Sequence, residues 1–80
     1  MYYTYILRSS SSGRYYIGQT DNLEQRLKRH NDNEVFSTKN RGPWKLVHFE
    51  IFETRSEAMK RERYLKSLKN RKKIDELVSK

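Results

Sequence analysis

The sequence predicts an α+β fold, a small three-stranded antiparallel sheet flanked by about three helices, and three observations carry that reading. Two runs rich in β-formers, "YYTYILRS" and "RYYIGQT", flank the turn-forming "SSSSG". A third alternating run, "WKLVHFEIFE", follows a long polar stretch. Helix-start signatures at Asp21 and Thr54 each precede residues of helical periodicity. In the first run Tyr3, Tyr5 and Leu7 face one way and Thr4, Ile6 and Arg8 the other, so it forms an N-terminal hairpin with the second. Gly18 lies near the end of that second strand. With no side chain to pack, it suits a bulge, a strand exit, or the close approach of backbone or substrate.

Asp21, followed three residues later by Glu24, resembles a capping box and opens a helix from about Asn22 to His30. Leu23 and Leu27 form its buried edge. Helical spacing of ~100° per residue sets Arg26 and His30 beside them, while Lys28 and Arg29 point elsewhere. Residues 31–43 are polar, end in Gly42 and Pro43, and read as a long loop. The third strand presents Val47, Phe49 and Ile51 on one face, alternating with His48 and Glu50. Thr54 and Glu57 make a second capping box, and the helix they open runs to about Leu68. Asn70 breaks or caps it, and a last short helix turns Ile74, Leu77 and Val78 inward.

At 80 residues the chain is expected to be one domain, residues 1–80, burying about 60% of the surface its unfolded form exposes. It has no cysteine, which removes disulfides and thiolate metal sites from consideration. No run approaches the ~20 apolar residues that span a bilayer, and the first residues lack the pattern of a signal peptide, so the expected location is cytoplasmic with no membrane partner. Lys and Arg number 18 against 10 Asp and Glu, a net charge of +8, and much of the excess follows residue 54. Such a cationic surface draws polyanions and gains affinity by releasing their counterions. Nucleic acid is the first partner to consider, although ribosomes, acidic proteins and anionic membranes attract the same composition.

Glu62 is the most informative position. With Ala58 at zero on the helical wheel, Leu65 falls at ~−20° and Glu62 at ~40°, inside the apolar stripe. A carboxylate there is partly desolvated and needs a partner: a salt bridge to Arg26 or to a neighbouring lysine, a hydrogen-bond network, or a divalent metal. Mg²⁺ commonly uses only one or two carboxylates, with water and substrate phosphate completing its shell. Arg26 is either a solvated helix arginine covering apolar surface or a clamp for phosphate. His30 is a capping or surface histidine, or a hydrogen-bond partner for phosphate or water. Tyr5 and Tyr16 satisfy β-propensity as they stand. As a base, a phenol of ordinary pKa needs roughly 4 kcal/mol of help at neutral pH, which a nearby cation supplies.

Together these residues resemble the GIY-YIG nuclease superfamily. "YYIG" matches the second signature, with Tyr16, Ile17 and Gly18 as its tyrosine, isoleucine and glycine. The first signature is degenerate: Tyr3, Thr4 and Tyr5 stand where Gly, Ile and Tyr are usual. Arg26 follows at the family's spacing, and His30 comes four residues later where members carry a histidine or tyrosine. "EAMKRERYLK" resembles the glutamate helix, Glu62 being its acid. The size and the "GPWKLVHFE" strand are most similar to small bacterial members related to the amino-terminal nuclease module of the excision-repair protein UvrC.

The resemblance implies an endonuclease that hydrolyses DNA phosphodiester bonds in repair or recombination, directed by structure more than sequence, on branched, flapped or nicked DNA. It implies one Mg²⁺ or Mn²⁺ at Glu62. Tyr16 or Tyr5 helps deprotonate the attacking water, Arg26 stabilises the pentacovalent phosphorus, and His30 assists positioning. Gln19 replaces a basic residue found in some relatives, and Asn70 is a candidate for the family's late asparagine. A protein partner supplying targeting belongs to the same expectation. The competing readings are a non-catalytic nucleic-acid-binding module that keeps the fold, and a basic adaptor for an acidic protein.

Overall fold

The computed structural model describes residues 1–79. Its elements in chain order are β1 (Tyr2–Ser9), β2 (Tyr15–Thr20), α1 (Leu23–Asn31), a 3-10 turn (Phe36–Thr38), β3 (Trp44–Phe52), α2 (Arg55–Ser67) and α3 (Arg71–Val78). The strands form one antiparallel sheet in the order β2-β1-β3. The α+β architecture expected from the sequence is the one observed.

Because β1 is central and covered on both faces, Thr4, Tyr5, Ile6 and Leu7 are all buried. Its alternation divides the interior in two. Tyr5 and Leu7 pack with Trp44 against Tyr16, Leu23, Leu27 and Leu46 on the α1 side. Ile6 packs with Leu65 and Ile74 against Ile17, Val47, Leu77 and Val78 on the α2 and α3 side. Adjacent Tyr15 and Tyr16 therefore serve opposite faces: Tyr15 bonds Asp75 of α3 through its hydroxyl, and Tyr16 joins the α1 side.

The caps differ in one respect from expectation. Asn22, not Asp21, caps α1, its side chain accepting from the Gln25 amide at 3.1 Å. For α2 the Thr54–Glu57 box forms as read from the sequence. Asn70 caps α3, accepting from the Lys72 amide.

The expected face of Val47, Phe49 and Ile51 does not form. Ile6 pairs with His48 but Leu7 with Leu46, so Val47 is an extra residue that reverses side-chain parity along β3. Val47 joins the α2 and α3 side, whereas Phe49 and Ile51 face the other way and are 47% and 56% exposed.

Two polar contacts fix how α2 sits on the sheet. Thr4 donates its hydroxyl to the Ala58 carbonyl at 2.7 Å, a close approach possible because Ala58 is small and fully buried. On the far side Arg61 donates from Nε and Nη2 to Glu50 of β3, which also bonds His48. Burial pushes the Glu50 carboxyl up, but these hydrogen bonds outweigh it and hold it below its ordinary range. With Arg61 turned toward β3, Glu62 lies ~100° further around the helix.

Candidate active site

Gly18 makes the site possible. It stands directly opposite Tyr5 in the β1–β2 pairing, and a Cβ there would lie 2.5 Å from the Tyr5 hydroxyl oxygen and 2.7 Å from Cζ. The phenol thus lies across the bare glycine backbone and carries its hydroxyl toward the β2 edge. The close approach left open by the sequence is that of Tyr5.

Arg26 and His30, one turn apart on α1, meet that hydroxyl. Arg26 donates from Nε at 3.4 Å, and His30 Nε2 lies 3.0 Å away. His30 is fully buried and its Nδ1 is 2.7 Å from the Thr38 hydroxyl. Thr38 donates its own proton to the Val35 carbonyl at 3.4 Å, so its oxygen is left to accept from Nδ1–H. Nε2 is then the bare nitrogen, and it accepts the Tyr5 proton. Burial, with the charges of Arg26 and Arg29, pushes His30 down to about 4, so the ring is neutral at pH 7. His30 is fully buried beneath Tyr5, with its two ring nitrogens engaged by Tyr5 and Thr38.

Burial also pushes the Tyr5 phenol up to about 12 against the pull of Arg26, and the charge of Glu62 adds to the rise. Arg26 in turn is held above its ordinary value, chiefly by its hydrogen bond to Tyr5 and with help from Tyr16. The Tyr16 ring lies 4.8 Å from the His30 ring and 6.4 Å from that of Tyr5, but Tyr16 remains half-buried. Of the two phenols, it is the one solvent reaches.

Arg26 opens into a polar cleft of about 260 Å³ that Gln19, Arg29 and Arg55 also line. Arg29 was expected to point away; it lies three residues from Arg26, on the same side of α1. Arg55 enters from α2 and donates to Gln19 at 3.4 Å. Sequence reasoning passed over Arg55 because only the docking of α2 beside the end of β2 brings it here.

Glu62 borders a neighbouring hollow with Met59, Arg63 and Lys66. It is seven residues from Arg55, hence on nearly the same helix face about 10 Å along the axis. Its charge is felt at Tyr5. The carboxylate is 21% exposed and accepts from Lys66 Nζ at 2.7 Å, the salt bridge to a neighbouring lysine that the sequence allowed. Oε1 takes no partner among the described residues. Glu62 is not among the residues that line the Arg26 cleft; as one accessible carboxylate with a free oxygen it suits a hard ion such as Mg²⁺ whose shell is otherwise water and phosphate. Among the described residues no three His, Cys, Asp or Glu side chains group to enclose a metal. Asn70 borders a further hollow shared with Tyr16 and Lys66. No described helix is long and apolar enough to cross a membrane.

A family model described as the GIY-YIG catalytic domain matches residues 1–75. A UPF0213 protein of Clostridium perfringens is 44% identical over 81 residues, covering 100% of this chain and 86% of that protein. One from Haloquadratum walsbyi is 42% identical over 73 residues, covering 90% and 81%. The solution structure of a UPF0213 protein from Bacillus halodurans is 38% identical, with a TM-score of 0.59 over 99% of this chain and 84% of that one.

Proposed function

This chain belongs to the GIY-YIG family, a nuclease-type domain, and from that premise we propose that it is a divalent-metal-dependent endonuclease acting on DNA. The observation that carries the reading is the meeting of the Tyr5 and Tyr16 phenols with the Arg26 guanidinium at the β2 edge, beside the Glu62 face of α2.

In this reading the scissile phosphate sits over the cleft, its oxygens meeting Arg26, with Arg29 and Arg55 holding the flanking backbone. Tyr16 takes the proton of the attacking water. The water oxygen bonds to phosphorus, the bond to the leaving sugar oxygen breaks, and that oxygen is protonated from solvent. Arg26, in hydrogen-bond reach of the phenols, offsets charge on the pentacovalent phosphorus. Tyr5 is unsuited to be the base, because burial and its bond to His30 keep it protonated; it fixes Arg26 in place. Glu62 would hold Mg²⁺ or Mn²⁺, which when bound supplies positive charge to the phosphate and leaving oxygen. Lys66 must swing aside, an easy motion for a side chain 51% exposed. A preference for branched, flapped or nicked DNA, and a place in repair or recombination, belong to the same proposal, as does a partner that supplies targeting. Residues 1–80 act as one domain in it.

The test is conversion of supercoiled DNA to nicked circles by the purified protein with Mg²⁺, with Mn²⁺ and with EDTA. Nicking with either ion and none in EDTA supports the proposal. Tight binding with no nicking under any ion would instead mark a non-catalytic binding module.

A further inference from the structure

Phe36 is 95% exposed, although both Val35 before it and Thr38 two residues on are buried. Single exposed apolar side chains are common and by themselves need no explanation. What sets Phe36 apart is the rigidity of its mounting. Thr38 bonds His30 through its hydroxyl, and its carbonyl accepts from Trp44 Nε1 at 3.2 Å. Asn31 spans the loop base, accepting from the Trp44 amide at 2.6 Å and donating to the Trp44 carbonyl at 3.0 Å. Asn33 accepts from the Asn40 amide across the loop at 2.9 Å. The far end is tied to the hairpin by the Ser9 hydroxyl, which donates to the Arg41 carbonyl. A loop held at both ends thus presents a bare aromatic ring to water.

The flanking chemistry narrows what that ring meets. Lys39 and Arg41 are exposed, and neither side chain has an ion-pair or hydrogen-bond partner among the described residues. An exposed aromatic ring with unpaired cations three and five residues further along the same loop suits a nucleobase stacked on the ring with its backbone phosphates near the cations. A paired base inside a duplex cannot offer its face; an unpaired one can. The platform is also referenced to the cleft, since Thr38 bonds His30 and His30 bonds Tyr5.

We propose that Phe36, with Lys39 and Arg41, is a stacking site for an unpaired nucleobase of the substrate, and that it selects DNA in which single-stranded and duplex segments meet. The proposal rests on the nucleic-acid reading above and gives its preference for branched, flapped or nicked DNA a residue that reads the unpaired base.

Binding by fluorescence anisotropy in EDTA, free of cleavage, tests it on three labelled DNAs: a blunt duplex, the same duplex with a single-stranded overhang, and that overhang made abasic. Phe36→Ala is expected to lose about 5- to 150-fold in affinity for the overhang and nothing for the blunt duplex, with the abasic overhang erasing the difference. Phe36→Trp should keep affinity, and the new indole's emission should be quenched on binding the overhang. Equal affinity of wild type and Phe36→Ala for the overhang, or an equal loss on the abasic one, overturns the stacking site and leaves the nuclease reading standing. Failure of the wild-type protein to bind any of the three DNAs overturns that reading itself, and the stacking site with it.

Discussion

His30 shows how a residue can serve a site it does not enter. Its burial as a neutral ring has a measurable consequence. Protonation is disfavoured in the folded state, whose pKa is about 4, relative to an ordinary histidine near 6.5. A depressed folded pKa means the contribution to stability is fully present above the unfolded value and is lost as pH falls toward the folded one. Stability should therefore drop between about pH 6.5 and 4, by up to ~3 kcal/mol. Urea unfolding across that range measures it, and His30→Gln should remove most of the slope while lowering stability at pH 7. An unchanged slope would place the acid sensitivity elsewhere. Gly18 gives a second prediction at this scale. Gly18→Ala forces the Tyr5 ring to move, because the new carbon meets it well inside contact distance. Overpacking of this kind costs about 1–3 kcal/mol. The expected result is a lowered melting temperature and a loss of cleavage larger than the loss of DNA binding.

Among the elements, α2 bears most on function because it carries Arg55 and Glu62 on one face. Its start is secured by the reciprocal Thr54–Glu57 box. Thr54→Ala should cost about 1 kcal/mol by chemical denaturation, with cleavage per folded molecule nearly unchanged. A large catalytic defect in a fully folded Thr54→Ala protein would mean that the first turn of α2 has a part in the site beyond carrying it. The elements also show what the sequence could disclose. Thr54 and Glu57, or Tyr5 and Leu7, act through neighbours at fixed spacing, so local pattern suffices to read them. The extra residue in β3 is different. Val47 and His48 look like any alternating pair, and only pairing with β1 decides which one is surplus. For α1, Asp21 and Asn22 are both competent caps, and the path of the chain out of β2 selects the second. Arg55 escaped notice for a related reason, because a cleft between elements depends on docking that no single periodicity encodes, whereas Arg29 was set apart although its spacing of three from Arg26 puts it on the same side of α1. Glu62, by contrast, stood out because a charge inside an apolar stripe is visible on one helix alone.

For the whole molecule, the charge of +8 should govern DNA affinity. The logarithm of the binding constant is expected to fall with the logarithm of salt concentration, by about 0.9 for every phosphate neutralised. Arg29→Ala and Arg55→Ala, both lining the cleft, should each reduce that slope by about 1 and weaken all sequences alike. A flat salt response would argue against a polyanion as ligand. The central claim is narrower than charge: a carboxylate on α2 works with phenols and a guanidinium from the first thirty residues to break a phosphodiester bond. Its most direct test is the single-turnover nicking rate of Glu62→Gln against wild type, in Mn²⁺, with DNA occupancy matched by a parallel binding measurement. The expected result is a loss of about a hundred- to a thousandfold in rate at equal occupancy, comparable to removal of a principal electrostatic group. Equal rates for the two proteins would contradict it.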